Sequence, residues 1–429
     1  MRMMNSQISQ LLNRLTATGF FSIAGSTVIN KVLTFLSGIL VVRILSKTDF
    51  GVYSYVYNLL NIALLFNGCG VASALIQLCS EKEDGRAQLT LERFAFLFGG
   101  GFDLLLMLAL FLYASIAPEE MPGSRLLLQI CSLFPLPQLV FELQCALLRS
   151  QLRNDDYARA NVINTSCVVA GTIAGSLVWG AIGLLLGRVA SLAASTAIIY
   201  KFFGVPITYK AIIAKELVPP LKGADRSEYV KISLSSALSN GISSFTYLIG
   251  TFMIGKLLAD PVQVASYEAA CAIPVALNFM PSAVMTYVYP FFARKKDDLP
   301  WVRKQYWRLT SCGLLVFGFA TLVCIVLAPV IINFVYGSSY ESSVDAFRVL
   351  MVGFWIGSVF RIISGNLLVT QHLVISNIIS TALTVIFILL FNLILVPKYG
   401  FIGSAFAQTF GLLISGVFNT AVFCKKIYS

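Results

Sequence analysis

Six ionisable side chains interrupt long apolar stretches of this sequence, and their chemistry suits anion binding, ion pairing or ion coupling. Three are basic and three are acidic: Lys31, Arg188, Arg361, Asp103, Glu142 and Glu268. If the apolar stretches cross a membrane, a basic or acidic group at their centre costs ~2.5–3.5 kcal/mol on the insertion scale. We therefore expect each group to have a charged partner, an aqueous surrounding or a function.

Lys31 is the sharpest case. It lies about 12 residues from either end of the apolar run 19–42, which is ~18 Å along a helix. A lysine side chain cannot extend that far to reach bulk water, although shorter distances are bridged in this way. Lys31 must therefore face a wet, ligand-binding cavity or form a structural ion pair, for which Asp103 and Glu142 are the candidates.

Polar side chains at helical spacing favour the cavity. The first run carries Ser26, Asn30 and Thr34, and the seventh run carries Asn240, Ser243 and Tyr247. Intervals of three or four residues place these groups on one face of each helix. We expect both faces to line a polar cavity.

The other five charges leave two interpretations open. Arg188 and Arg361 lie closer to the ends of their runs, where a long side chain can reach the membrane surface instead of binding a ligand. Asp103 follows Gly99–Gly101, where helix backbones can approach closely. For Asp103, Glu142 and Glu268, the alternatives are structural pairing and coupling to a proton or cation.

The composition explains why a membrane is the expected environment. Of 429 residues, 57% are hydrophobic and 12% are charged, whereas soluble domains carry roughly 25% charged residues. The net charge of +11 comes from basic residues in short loops, a pattern that does not predict a nucleic-acid partner. Nine scattered cysteines without a CxxC pair predict neither a disulfide framework nor a metal site. No cofactor is expected.

A membrane span needs ~20 mostly apolar residues. Twelve segments qualify: 19–42, 51–78, 94–117, 126–148, 161–180, 183–203, 231–258, 262–292, 309–335, 344–369, 374–396 and 401–423. The predicted fold is therefore an all-α polytopic membrane protein with about 12 helices. Prolines inside the fourth and eighth segments predict bends there: Pro135, Pro137, Pro274, Pro281 and Pro290.

The distribution of basic residues predicts the orientation. With the N-terminus in the cytoplasm, 22 lysines and arginines fall on the cytoplasmic side and 6 on the outside. Cytoplasmic loops are enriched in basic residues. Both termini are therefore predicted to be cytoplasmic.

Weak internal similarity predicts two halves. Offsets of 212, 216 and 220 residues align three segments in chain order, the last pairing Trp179-Gly180-x-Ile182-Gly183 with Tyr399-Gly400-x-Ile402-Gly403. Six spans per half give a parallel repeat, with a binding site expected between the halves. We predict an N-terminal lobe at 1–203, a cytoplasmic linker at 204–230 and a C-terminal lobe at 231–429.

Several segments resemble a known family. The clearest is Arg43-x-Leu45-x-x-x-Asp49-Phe50-Gly51 after the first run, supported by Tyr157-Ala-x-x-Asn161 and Trp179-Gly-x-Ile-Gly183. They resemble the polysaccharide-biosynthesis flippases, including the O-antigen flippases, of the multidrug/oligosaccharidyl-lipid/polysaccharide exporter superfamily. The resemblance covers essentially the whole chain.

This resemblance implies two six-helix lobes around a central cavity and export of an undecaprenyl-pyrophosphate-linked oligosaccharide, as in O-antigen and lipopolysaccharide biosynthesis. It implies a bacterial inner-membrane location, an H⁺ or Na⁺ counter-ion, and contact with membrane lipids and polysaccharide polymerase machinery. The family's pyrophosphate-binding role falls on Lys31, Arg188 and Arg361.

Two other classes of function are weighed against the flippase. A multidrug/cation antiporter of the related extrusion type is expected to have a mainly acidic cavity, whereas basic and acidic groups are balanced here. An integral-membrane enzyme such as a glycan polymerase needs a large extracytoplasmic loop, and the predicted loops are short, with His372 the single histidine. We therefore expect a transporter and not an enzyme or a structural scaffold.

Overall fold

The computed structural model describes residues 20–82, 84–205, 221 and 223–428, and helices account for nearly all of them. The α-helices are α1 (Phe20–Ile44), α2 (Lys47–Leu64), α3 (Val71–Glu81), α4 (Gly85–Ile116), α5 (Ser124–Cys131), α6 (Pro135–Ser150), α7 (Asn154–Phe203), α8 (Gly223–Leu258), α9 (Pro261–Leu277), α10 (Phe279–Arg294), α11 (Leu299–Val326), α12 (Ala328–Tyr336), α13 (Val344–Ile356), α14 (Ser364–Thr370), α15 (Val374–Tyr399) and α16 (Phe401–Tyr428). Within these ranges no residue belongs to a β-strand.

The predicted all-α, multi-pass fold is confirmed. Eleven helical segments of the described chain are long and apolar enough to cross a membrane. One of them, α7, has 50 residues and is interrupted at Trp179 and Gly180, so it supplies both the fifth and the sixth predicted spans. The described residues thus provide twelve spans.

Two hairpin turns repeat the same backbone geometry. Gly180 has φ 59° and ψ −135°, and Gly400 has φ 60° and ψ −146°, a region that favours glycine. After each turn the arms pack closely: a Cβ on Gly183 would lie 2.1 Å from the Gly175 carbonyl oxygen, and one on Gly403 would lie 2.3 Å from that of Leu395. The sequence repeat at offset 220 is therefore also a structural repeat.

The helices bend close to the prolines at which bends were predicted. The fourth span is divided into α5 and α6, and Pro135 begins α6. The eighth span is divided into α9 and α10 at Asn278, between Pro274 and Pro281. Proline lacks an N–H and clashes with the preceding turn, so a helix bends or restarts there.

The chain packs as two compact units. The first contains the described residues within 1–45, 60–119 and 123–240, and the second contains 46–59, 120–122 and those within 241–429. These units follow packing, whereas the predicted lobes at 1–203 and 231–429 follow the sequence repeat and stay a prediction. Most of the predicted linker, 204–230, lies outside the described residues.

The Asp49-Phe50-Gly51 segment forms the start of α2 in the second unit. Ser46 caps this helix: its hydroxyl donates to the Asp49 carboxylate at 2.7 Å and accepts from the Asp49 backbone N–H at 3.0 Å, a reciprocal capping arrangement. Gly51 packs directly on Pro261, where a Cβ would lie 1.8 Å from the carbonyl oxygen. The segment therefore combines a helix cap with a close helix crossing.

This crossing predicts that Gly51→Ala destabilises the protein. The added methyl group would force the backbone of Pro261 to move, and overpacking of this kind costs about 1–3 kcal/mol. Gly101→Ala is the matched control, because a Cβ there has no neighbour within 4 Å. In thermal unfolding of the purified protein in detergent, Gly51→Ala should lower Tm and Gly101→Ala should not. Equal Tm values for both variants would contradict the close crossing.

Candidate functional site

Lys31 is a solvent- or lipid-exposed cation in the middle of α1, in the first unit. It forms no hydrogen bond or ion pair with any residue that the structure describes, including Asp103 and Glu142. An ammonium group left without protein partners at mid-span needs water or an anionic ligand. Its environment therefore fits the cavity interpretation.

Arg361 occupies an irregular turn in the second unit. It lies in a π-helical segment, Gly357–Ile363, between α13 and α14, and such segments are frequent at functional sites. Its guanidinium Nη1 donates to the Tyr247 hydroxyl at 3.2 Å. Its carbonyl oxygen accepts from the Asn419 side chain at 3.3 Å. The structure thus brings together two residues that were selected separately from the sequence.

Arg188 has a different setting. It is half-buried on the second arm of α7, in the first unit, and lies within electrostatic range of Cys131. A half-buried guanidinium presents donors in a fixed plane. Its role as a pyrophosphate ligand stays a prediction.

The predicted polar faces are only partly accessible. Thr34, Asn240 and Ser243 are exposed, whereas Asn30 is half-buried with a shielded side-chain oxygen that lacks a hydrogen-bond donor. Ser26 is buried, and its hydroxyl donates to the Ile23 carbonyl at 2.9 Å. The Ser26 hydroxyl is therefore already used in a hydrogen bond within α1 and is not available to donate to a ligand.

The three acids have no basic partner among the described residues. Asp103 is fully buried and accepts from the Gly68 N–H at 2.7 Å. Glu142 is half-buried and accepts from the Gln138 side-chain amide at 2.9 Å. Glu268, in the second unit, accepts from the Thr251 hydroxyl. Neutral donors, and not cations, hold all three carboxyl groups.

The second span contains a break that was not predicted from the sequence. The predicted helix 51–78 is interrupted by a 3₁₀ segment, Asn67–Gly70, in which Gly68 and Cys69 have φ 52° and 55°. An Asn-Gly dipeptide is a turn signal even inside an apolar stretch. The segment Asn67-Gly68-Cys69-Gly70 could therefore have revealed the break.

The second unit contains a polar cluster that was also not predicted from the sequence. Glu120 forms an ion pair with Lys256 through one carboxylate oxygen and accepts from the Tyr55 hydroxyl through the other. Gly255 packs on the Tyr55 ring, where a Cβ would lie 2.2 Å from ring carbons. Glu120 therefore joins α2 to α8 on the side that the charge distribution assigns to the outside.

Most of the chain matches the model of a known protein family. A family model described as a polysaccharide biosynthesis protein matches residues 40–345, so the chain belongs to this family. This match agrees with the resemblance found in the sequence. No curated protein matches the chain significantly by sequence.

Solved structures with the same fold are transporters. The lipid II flippase MurJ in an inward closed conformation aligns with TM-score 0.75 and 14% identity, covering 94% of this chain and 87% of that one. An inward-facing multidrug resistance MATE family transporter of the MOP superfamily aligns with TM-score 0.71 and 13% identity, covering 96% and 98%. A MOP superfamily transporter from Pyrococcus furiosus aligns with TM-score 0.57 and 13% identity, covering 97% and 95%. At these low identities, the TM-scores establish a shared fold alone.

The absence of a described protein partner for the Lys31 ammonium group predicts that this position is in contact with water. Residue 29 lies two positions earlier, about 200° around the helix, and Ile29 is 48% exposed, which makes it a matched control. In membranes, Lys31→Cys should react several-fold faster with a hydrophilic maleimide than Ile29→Cys, with labelled sites read by peptide mass spectrometry. Equal, slow labelling of both positions would place Lys31 against lipid.

Proposed function

We propose that this protein is a flippase that moves an undecaprenyl-pyrophosphate-linked oligosaccharide from the cytoplasmic to the periplasmic leaflet by alternating access. The observation that carries this proposal is Lys31, a mid-span cation without a described protein partner, in a chain of the polysaccharide biosynthesis family. The shared fold with the lipid II flippase supports a transporter role. We propose that the protein transports this lipid-linked glycan and does not modify it chemically.

The physics of the substrate explains the need for a cation. A diphosphate cannot cross hydrocarbon alone, because burying an unpaired charge is prohibitively costly. Lys31 in a hydrated cavity would lower this cost, while the lipid tail stays in the bilayer. Moving two negative charges outward gains ~4–5 kcal/mol per 100 mV, inside negative.

Arg361 and Arg188 would share this binding role. The planar guanidinium group of arginine matches phosphate oxygens through two parallel hydrogen bonds. Arg361 is already oriented by Tyr247 at 3.2 Å, which leaves further N–H groups for a ligand. Thr34, Asn240 and Ser243 are exposed and can offer hydroxyl or amide groups to the sugar.

The glycan, the location, the counter-ion and the partners that we propose are those that the family resemblance implies. The glycan would be an O-antigen or related surface-polysaccharide repeat unit, and the site of action the bacterial cell inner membrane, with both termini cytoplasmic. An H⁺ or Na⁺ counter-ion would be coupled to transport. Polysaccharide polymerase machinery would receive the exported lipid-linked glycan.

A multidrug/cation antiporter is the second candidate. The observation in its favour is Asp103, a fully buried carboxylate without a basic partner in the described chain, together with the fold shared with the multidrug transporter. An antiporter exports organic cations, so it needs accessible acids in its cavity. Asp103 is buried, whereas Lys31 is exposed, and this favours the flippase.

The flippase proposal predicts the effect of Lys31 substitutions in cells that rely on this chain for glycan export. Loss of the protein should trap lipid-linked repeat units on the cytoplasmic leaflet. Lys31→Ala should reproduce the trapping, because the diphosphate loses its cation, and Lys31→Arg should partly restore export. Ile29→Ala, on the opposite face of the same helix, should export normally. Lipid-linked glycan in each leaflet is the quantity measured, at matched membrane expression.

Two outcomes would contradict parts of this account. Normal glycan export without the protein would refute the flippase and leave the antiporter as the leading candidate. Normal export by Lys31→Ala, with trapping in the absence of the protein, would retain the function but remove the role of Lys31.

A further inference from the structure

A π-helical turn, Gly357–Ile363, joins α13 to α14 in the second unit. Such a turn holds more residues than an α-helical turn, because its hydrogen bonds span five residues and not four. A Cβ on Gly416 of α16 would lie 2.9 Å from the Cβ of Phe360, and one on Gly313 of α11 would lie 3.4 Å from the Ile363 side chain. These two helices therefore limit how the turn can move.

One face of α16 follows the chain from α13 through this turn. Its members are three or four residues apart and so share one side of the helix: Thr409, Leu412, Gly416 and Asn419. The Thr409 hydroxyl donates to the Val349 carbonyl at 3.1 Å, and a Cβ on Gly357 would lie 3.6 Å from the Leu412 side chain. Because the contacts advance together along both segments, α16 runs beside α13 and the turn.

Asn419 is the residue of this face that binds the backbone of Arg361. Asn419 is 2% exposed, and its side-chain nitrogen donates to the Arg361 carbonyl at 3.3 Å. The same carbonyl accepts from the Ser364 backbone N–H, just after the turn. Loss of this acceptor would leave a buried amide donor unsatisfied, at a cost of about 1–3 kcal/mol. The bond therefore favours the backbone arrangement that keeps the carbonyl directed at α16.

This backbone arrangement determines where the Arg361 side chain points. Each residue of an α-helix turns the chain by ~100°. Converting the wider turn into regular α-helix would rotate the residues after the change by about that angle relative to α13. The Arg361 guanidinium would then move away from the Tyr247 hydroxyl, to which Nη1 donates at 3.2 Å. The π-helical form is therefore the one that brings Arg361 to Tyr247.

The pair of Arg361 and Tyr247 is suited to binding phosphate oxygens. None of the ion pairs of the described chain includes Arg361, and its guanidinium has five N–H groups, of which Tyr247 uses one. The Tyr247 oxygen accepts from Arg361, and no described residue accepts the Tyr247 proton. Arg361 is half-buried and Tyr247 is 39% exposed. The pair therefore offers several donors to an anion.

We propose that Asn419 is a positioning residue for the diphosphate site. By holding the π-helical turn, it directs the Arg361 guanidinium toward Tyr247, and the pair then binds a phosphate oxygen of the lipid-linked substrate. The assignment of this ligand to Arg361 rests on the proposed function. Asn419 is buried and its amide is already used, so it acts through Arg361 and does not contact the substrate.

Asn392 offers a matched control. It is 0% exposed on α15 and, like Asn419, has a side-chain oxygen without a hydrogen-bond partner in the described chain. Its side-chain nitrogen donates at 2.7 Å to the Ile388 carbonyl of its own helix. Replacing Asn392 therefore removes a buried amide without removing a hydrogen bond to the turn.

The test measures binding of farnesyl diphosphate to the purified full-length protein in detergent by isothermal titration calorimetry, with farnesol as the control for partition into micelles. The parent should bind the diphosphate, and Arg361→Gln should weaken binding about tenfold or more, because the charge is lost. Asn419→Leu, which is similar in size and lacks the donor, should weaken binding several-fold, and Asn392→Leu should bind like the parent. In the Arg361→Gln background, Asn419→Leu should cause no further loss, since a residue that acts through Arg361 is not additive with it.

Hydrogen–deuterium exchange provides a second measurement that needs no ligand. The peptide spanning Gly357–Ile363 should exchange several-fold faster in Asn419→Leu than in the parent, because the turn loses a bond that holds it closed. Exchange of this peptide in Asn392→Leu should be unchanged. Size-exclusion chromatography and thermal unfolding confirm that each variant is folded. If Asn419→Leu does not fold, Asn419→Ser replaces it, because a serine hydroxyl bonds within its own helix and also withdraws the donor from Arg361.

Four results would overturn the positioning role. They are unchanged diphosphate affinity in a folded Asn419 variant, an equal loss of affinity in Asn392→Leu, an equal loss with and without Arg361, and unchanged exchange in the turn. A folded parent that does not bind farnesyl diphosphate would instead refute the diphosphate site and the binding role that the proposed function gives to Arg361. Failure of the positioning role and failure of the proposed function are therefore distinguishable.

Discussion

Hydrocarbon offers no hydrogen bonds, so every polar group that this chain places at membrane depth must be satisfied by protein, water or ligand. Most of the described chain meets this requirement with helices whose backbone groups pair internally. The departures from this rule in the described residues include an unpaired cation on α1, a π-helical turn around Arg361 and a broken second span. Because each of these departures is costly, each is a candidate functional feature.

These exceptions fall into two chemically distinct groups. Lys31 is exposed, and Arg361 is held by the neutral Tyr247 hydroxyl, so both can present positive charge to a large anion. Asp103 is enclosed and is reached by a backbone N–H and not by a basic side chain. Exposed cations suit a bulky diphosphate, whereas enclosed oxygens suit a small ion.

The number of spans and their periodicity could be predicted because lipid-facing helices are defined by composition. The hairpin at Gly400 could be predicted from Gly180, since glycine at a sharp turn is retained in both copies of the repeat. The bends near Pro135 and Asn278 could be predicted because each proline lacks a backbone N–H and disturbs only the helix turn around it. These features depend on residues close together in the sequence.

The broken second span could not be predicted in the same way. The Asn67–Gly70 turn is stabilised by Asp103 on another helix, and hydropathy contains no information on such a contact. The cluster of Glu120 with Tyr55 and Lys256 likewise joins three separate segments. The sequence could therefore mark charged residues inside apolar stretches as candidates, but their partners became visible only in three dimensions.

The central claim is that this chain moves a diphosphate-linked glycan lipid across a bilayer. The most direct measurement reconstitutes the purified protein in liposomes and follows, leaflet by leaflet, a fluorescent polyprenyl-diphosphate oligosaccharide beside its neutral, dephosphorylated analogue. The account predicts protein-dependent movement of the diphosphate lipid and little movement of the neutral one. Absence of protein-dependent lipid movement, with exchange of organic cations by the same liposomes, would contradict it.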